Sequence, residues 1–103
     1  MTDRLYNAIG LCQRAGKAQS GAFAAERAIR SGKAKLVLLE QTASEATKTQ
    51  YEQLCAAHGV PLVLVETVGR AIGKDARIVM AVTDPSFRDM IERAMRNTDE
   101  KRG

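Results

Sequence analysis

A short segment near the amino terminus brings together groups that can bind a polyanion. Ser20 and Gly21 precede a stretch of helical periodicity in which Phe23, Arg27 and Arg30 fall on one side. At 3.6 residues per turn these three side chains lie within about 60° of one another. The opposite side carries the small or aliphatic residues Ala22, Ala25, Ala28 and Ile29.

The start of this helix, with Ser20 as its predicted cap, is a candidate anion site. The first amides of a helix have no acceptor within the helix, and the positive end of its dipole lies at the same place. Arginine adds charge and a flat stacking surface, while an exposed phenylalanine can stack on an unpaired base. Lys17, Lys33 and Lys35 could extend the basic rim. The residues alone leave open the alternative that Phe23 packs beneath the first helix and the arginines are merely solvated.

The rest of the chain carries no assembled catalytic or metal-binding motif. The dinucleotide fingerprint G-x-G-x-x-G and the Walker phosphate loop are both absent. His58 ends a predicted helix, and Cys12 and Cys55 are predicted to be small buried side chains, whereas zinc prefers four ligands. Asp75 fits a turn and Asp84 a helix cap, so no nucleophile, base and orienting group come together. We expect no enzymatic activity, cofactor, metal or small-molecule substrate.

Positive charge is concentrated in the first third of the chain. Of the 103 residues, 1–35 hold seven basic and two acidic groups, a net of +5, whereas 36–103 have a net of −1. This asymmetry favours a polyanionic partner. No apolar stretch is long enough to span a bilayer and no signal peptide is recognisable, which predicts a cytoplasmic protein without a membrane partner.

Helical and strand patterns alternate along the chain. Helices are predicted from Thr2, from Ser20 to Ser31, from Ser44 to His58, over 67–73 and from Asp84 onward. Strands are predicted over 35–40, 62–66 and 77–82, and residues 17–19 form either a short connector or an edge strand. Three strands are continuous aliphatic runs, which is typical of a sheet covered by helices on both faces. We therefore predict an α/β/α sandwich with a central, mostly parallel (mixed) sheet of about four strands. Residues 1–97 form the predicted single domain and 98–103 a disordered tail.

Four motifs follow one another in a fixed order: AIRSGKAKLVLL, ASEATK, GVPLV and AIGKDARIVMAVTD. In order and spacing they resemble the L-seven-Ae family of ribosomal and kink-turn RNA-binding proteins, in particular its bacterial YlxQ-type members, over about residues 3–95. The resemblance implies the L-thirty-e-like α/β/α fold and a small non-catalytic module that binds RNA.

The resemblance also implies three RNA-contacting segments, namely the glycine-initiated helix start, the loop after the next strand and the loop before the last strand. In this sequence they comprise Gly21, Phe23, Ala24 and Arg27; residues 40–44 with Glu40 and Thr42; and Val68, Gly69 and the turn 73–78 with Lys74, Arg77 and Ile78. Arg30 and Lys33 join the predicted RNA-binding set from the charge pattern of the first segment.

The sequence departs from the family pattern at the helix start. Phe23 and Ala24 stand where many kink-turn binders place an Asn–Glu pair that reads sheared G·A pairs, and Arg27 stands in place of a lysine. Thr42 occupies a loop position that is frequently acidic. We hypothesise that stacking by Phe23 replaces hydrogen-bonded readout.

Two functions fit these observations. The first is a monomeric RNA-binding protein that recognises kink-turn-like or internally looped structured RNA, ribosomal or messenger, with the ribosome as a candidate partner. The second is a protein-interaction adaptor of the same fold that has lost standard kink-turn readout, since an aromatic side chain rimmed by arginines also suits a protein interface.

Overall fold

Helices and strands alternate along residues 3–74 and 76–102, the part of the chain that the computed structural model describes. The helices are α1 (Asp3–Arg14), α2 (Ala22–Arg30), α3 (Glu45–His58), α4 (Gly69–Ile72) and α5 (Pro85–Arg102). The strands are β1 (Ala18–Ser20), β2 (Leu36–Glu40), β3 (Leu62–Val65) and β4 (Val79–Val82).

The four strands form one mixed sheet in the order β1-β4-β2-β3. Strand β2 pairs with β3 in parallel, with Leu38 opposite Val63, whereas β4 runs antiparallel to both β2 and β1. The predicted α/β/α sandwich with a mixed sheet of about four strands is confirmed. The sheet is less parallel than predicted, because the aliphatic runs reflect helices on both faces, a condition that antiparallel strands satisfy equally well.

Two separate hydrophobic cores lie on the two faces of the sheet. Alternate residues of β2 point to opposite faces, so that Leu38 joins one core and Val37 the other. Helices α1, α4 and α5 cover the first face, and helices α2 and α3 cover the second. Burial on both sides explains why β2 is apolar at four successive positions.

The ends of the helices largely follow local sequence signals. Ser44 accepts a hydrogen bond from Thr47 N at 3.1 Å and caps α3 as predicted, and Gly59 ends this helix in the left-handed conformation at φ 67°. For α2 the predicted cap is wrong: Ser20 pairs within the sheet with Met80, and Gly21 occupies the N-cap position. The register of β1 therefore shifts the start of the helix by one residue.

Helix α5 runs further than the sequence predicted. Asp84 caps its start by accepting a hydrogen bond from Phe87 N at 3.1 Å, and no glycine or proline occurs in residues 86–102. The backbone of 98–102, predicted as part of a disordered tail, continues this helix. Gly103, the predicted cap Thr2 and the turn residue Asp75 lie outside the described residues.

The two cysteines are buried free thiols, as predicted. Cys12, on the buried side of α1, packs in the core, and burial together with the charge of Asp84 raises the pKa of its thiol to about 11. Within the described ranges, no helix is both long enough and apolar enough to cross a membrane.

Candidate functional site

The start of α2 is built around a glycine in an unusual conformation. Gly21 has φ 91° and ψ 157°, a region that is essentially restricted to glycine. Its amide donates to Val79 O and its carbonyl accepts from Ala25 N, both at 2.9 Å. Glycine has no side chain with which to cap the helix, so the amides of residues 22–24 have no acceptor within α2. This end of α2 therefore retains donors that can bind an anion.

Arg77 lies directly over this turn. A Cβ atom added to Gly21 would lie 2.9 Å from Arg77 Nη1 and 3.3 Å from Arg77 Cζ, and Gly21 is buried while Arg77 is exposed. The turn is thus covered, which the sequence did not predict. Because the cover is itself a guanidinium group, it adds positive charge beside the first amides of α2.

The outer side of α2 carries the predicted ridge of exposed side chains. Phe23 is 80% exposed, so the alternative in which it packs beneath α1 is wrong. Arg27 and Arg30 are exposed as well, while Ala25, Ala28 and Ile29 are buried against the sheet. Ala22 was predicted on the packed side but is exposed, because it is the first residue of the helix and precedes the part that contacts the sheet.

Two open depressions flank this ridge. One, of about 530 Å³, is lined by Phe23, Glu26, Arg27, Arg30 and Ser31. The other, of about 460 Å³, is lined by Gln19, Phe23, Ala24, Arg27, Ala28, Ser31, Lys33 and Thr83. The predicted residues of the first segment are therefore brought together around α2, where Arg30 lines the first depression and Ala24 and Lys33 line the second.

The three predicted segments meet at one end of the sheet, at the start of β4. The amide of Gly21 donates to Val79 O, and the amide of Glu40 donates to the neighbouring carbonyl of Ile78, each at 2.9 Å. The start of α2 and the end of β2 consequently flank the first residues of β4. The segment before β4 contributes Arg77, which reaches over Gly21.

Glu40 holds two of these segments together. Its Oε1 atom accepts hydrogen bonds from Val68 N at 2.8 Å, Gly69 N at 3.3 Å and Thr67 Oγ1 at 3.2 Å, while Oε2 accepts from Thr42 Oγ1 at 3.3 Å. Glu40 was predicted to contact RNA, but its carboxylate is engaged within the chain. It therefore positions the loop after β2 and the start of α4.

The ionisation of Glu40 reflects these bonds. Burial raises the pKa of the Glu40 carboxyl, but the amides of Val68 and Gly69 and the hydroxyls of Thr67 and Thr42 stabilise the carboxylate more strongly, so that its pKa lies below the ordinary value. The only sequence signal for this arrangement is an acidic residue that ends an otherwise aliphatic strand.

The remaining predicted residues differ in their accessibility. Val68, predicted to lie in an RNA-contacting segment, is fully buried, and Gly69 is buried with its amide bonded to Glu40, so the Val68 side chain is not available for contact with RNA. Val68 begins the turn into α4, and its side chain fills the core between α1 and the sheet. Exposed surface is provided instead by Thr42, Lys74, Arg77 and Ile78, the last of which is 38% exposed.

The described residues of this surface form no metal-binding cluster. Among the described side chains, no group of three or more histidine, cysteine, aspartate or glutamate residues is placed to hold a metal ion. His58 lies at the end of α3 and borders a different depression, together with Arg88 of α5.

Comparison with known proteins identifies the family. Residues 3–91 match the model of the ribosomal protein L7Ae/L30e/S12e/Gadd45 family. The chain belongs to this family. The resemblance inferred from the sequence motifs is thereby confirmed. The L7Ae-family chain is also 44% identical over 82 residues to the RNA-binding protein YlxQ of Bacillus subtilis (strain 168), covering 77% of this chain and 82% of that protein.

Solved structures share the L7Ae-family fold. A Bacillus halodurans protein with unknown function superposes with a TM-score of 0.80 at 30% identity, over 86% of this chain and 94% of that one. The Giardia lamblia 15.5kD RNA binding protein superposes with a TM-score of 0.72 at 22% identity, over 87% and 80% of the two chains. At this low identity the second likeness shows the fold alone.

Proposed function

We propose that this protein binds structured RNA containing a kink-turn-like or internally looped element, and that it does so without catalysis. The observation that carries the proposal is the position of the exposed Phe23 and Arg27 beside the uncapped start of α2. The B. subtilis relative, which is 44% identical, is an RNA-binding protein by name and supports the same assignment.

The phosphate backbone would be held at the start of α2. The free amides of residues 22–24 and the guanidinium groups of Arg27 and Arg77 offer hydrogen-bond donors and positive charge in one place. Lys74 lies in the same loop as Arg77 and is exposed, so it can contact a neighbouring phosphate. These contacts would fix the register of the RNA without reading its sequence.

Unpaired bases would be held by the apolar side chains of the surface. Phe23 presents its ring to solvent, and an aromatic ring stacks on any base. The half-exposed Ile78, at the start of β4, offers an apolar surface for a base extruded from an internal loop. Stacking of this kind suits bent or looped RNA better than a regular duplex, whose bases are already stacked.

The setting of this activity forms part of the proposal. The protein would act in the cytoplasm as a monomer, with ribosomal or messenger RNA as ligand and the ribosome as a candidate location. A basic amino-terminal third and a folded unit of this size suit a ribonucleoprotein component.

A second candidate function rests on the same exposed ring. Phe23 beside Arg27 and Arg30 resembles the aromatic and arginine anchors of protein interfaces. Under this alternative the protein is an adaptor, and its partners remain bound after ribonuclease treatment. RNA binding is favoured because the same residues adjoin a helix end with free amides, which a protein anchor does not require.

The experiment that tests the proposal is a titration of two RNAs matched in length and composition. One carries a kink-turn, and in the other the internal loop is scrambled into paired duplex. We expect tighter binding of the kink-turn RNA and an affinity that falls with salt by about 0.7–0.9 log units per log unit of salt for each phosphate contacted.

An internal control is the Arg93→Gln variant, which removes one exposed charge from α5 on the other face of the sheet. Its affinity should match that of the unmodified protein. Equal affinity for both RNAs, combined with a flat salt response, would overturn the proposal, and ribonuclease-resistant partners would then support the adaptor.

A further inference from the structure

The depression between α2 and the edge of the sheet differs chemically from its counterpart across the ridge. It is bounded by Gln19 of the terminal strand β1, by the outer side of α2, and by Lys33 and Thr83. Its volume of about 460 Å³ lies in the range of small-ligand sites. We call it the β1 groove.

Charge distinguishes the two depressions. Within the described part of the chain, the β1 groove is lined by two cations, Arg27 and Lys33, and by no acidic side chain, whereas Glu26 lines the depression on the other side. Neither Arg27 nor Lys33 forms an ion pair with another described side chain. The β1 groove therefore has uncompensated positive charge available for an anionic group.

The remaining groups in the β1 groove suit a nucleobase. Phe23 supplies an exposed flat face at one border, and the Gln19 amide offers both a donor and an acceptor at the sheet edge. Thr83 adds a hydroxyl to the same lining. A stacking face, a bifunctional amide and two cations together match one unpaired nucleotide, whose base stacks while its phosphate contacts the cations.

We propose that the β1 groove binds an unpaired RNA nucleotide adjoining the structured element held at the start of α2. This inference rests on the proposed function, because Phe23 and Arg27 border the β1 groove and also belong to the proposed RNA site at the start of α2. It adds a subsite for single-stranded RNA that leads along α2 toward Lys33, away from the loops around Glu40.

The test compares a kink-turn RNA with flush ends and the same RNA carrying a short unpaired extension. The extension should raise the affinity of the unmodified protein by at least about fivefold, the lower range for stacking of one base. Lys33→Gln should abolish most of this gain, so that the variant binds the extended and the flush RNA with nearly equal affinity.

The matched control is Arg93→Gln, which removes the same amount of charge from α5 and should preserve the gain. The inference is overturned if the extension adds no affinity, if Lys33→Gln leaves the gain intact, or if both variants weaken binding of both RNAs equally.

Failure of the proposed function gives a different pattern. If the kink-turn RNA binds no better than its scrambled counterpart, the unpaired oligonucleotide alone is titrated. Binding of this oligonucleotide that Lys33→Gln weakens and Arg93→Gln does not would support the β1 groove without the kink-turn site. An oligonucleotide that does not bind, or that binds both variants equally, would overturn it.

Discussion

Glu40 Oε1 lies 2.8 Å from the amide nitrogen of Val68, and this hydrogen bond joins the end of β2 to the start of α4 across 28 positions of the chain. A second amide, that of Gly69, donates to the same oxygen at 3.3 Å. The carboxylate thus completes the turn that leads into α4. Its contribution to RNA binding would come from the geometry of the loops and not from contact with the ligand.

Replacing Glu40 should lower the stability of the fold. Glu40→Ala removes the acceptor of the buried Val68 amide, and a buried donor left unsatisfied costs about 1–3 kcal/mol. We expect the free energy of unfolding to fall by about 1–3 kcal/mol, measured by urea denaturation. Glu52→Ala, on the exposed side of α3, should change it by less than about 0.5 kcal/mol. Equal losses in the two variants would contradict the role assigned to Glu40.

The same carboxylate should make stability depend on pH. Because the pKa of Glu40 is lowered in the folded protein from its ordinary value of 4.5, ionised Glu40 stabilises the fold fully above that pH. The contribution is lost as the pH falls through the lowered pKa of the folded state. The stability difference between the unmodified protein and Glu40→Gln should be constant near neutral pH and shrink below 4.5. A difference that grows on acidification would contradict this prediction.

The sequence predicted what depends on local periodicity. Helical spacing placed Phe23, Arg27 and Arg30 on the outer side of α2, and the structure exposes all three. The cap at Ser44 and the buried aliphatic run of β2 were likewise predicted, because each depends on residues that are close in sequence. These features need no knowledge of the tertiary fold.

The sequence could not predict contacts that the fold creates between distant segments. The sequence predicted that Glu40 and Val68 belong to two separate surface loops. In the structure the Glu40 carboxylate accepts a hydrogen bond from the Val68 amide, and the Val68 side chain is buried. Arg77 over Gly21 is a contact of the same kind. The direction of β4 could not be predicted either, since an aliphatic run indicates that a strand is buried and does not indicate whether it runs parallel or antiparallel to its neighbours.

Replacing Gly21 by any residue with a side chain should destabilise the fold. Its φ of 91° with ψ of 157° costs a side-chain-bearing residue about 1–3 kcal/mol, independently of any clash. Gly21→Ala should therefore lower the free energy of unfolding by about that amount in denaturant titration. The nearest obstacle to the new Cβ is the end of the flexible Arg77 side chain, which can move.

A double variant separates backbone strain from that clash. Gly21→Ala combined with Arg77→Ala should be no more stable than Gly21→Ala alone, because truncating Arg77 leaves the φ angle unchanged. Recovery of most of the lost stability in the double variant would show that the Arg77 contact, and not the backbone conformation, imposes the cost.

Phe23 should affect binding without affecting folding. Since its ring is 80% exposed, Phe23→Ala should change the free energy of unfolding by less than about 0.5 kcal/mol. The same variant should raise the Kd for a kink-turn RNA by at least about fivefold, because base stacking on an aromatic ring is worth about 1–3 kcal/mol. Phe23→Trp, which keeps a flat aromatic face, should retain binding.

Met90→Ala removes a 40% exposed apolar side chain from α5 and serves as the matched control, with unchanged affinity expected. If Phe23→Ala binds every looped RNA as tightly as the unmodified protein does, the ring takes no part in recognition, and the positive charge around the start of α2 must account for binding alone.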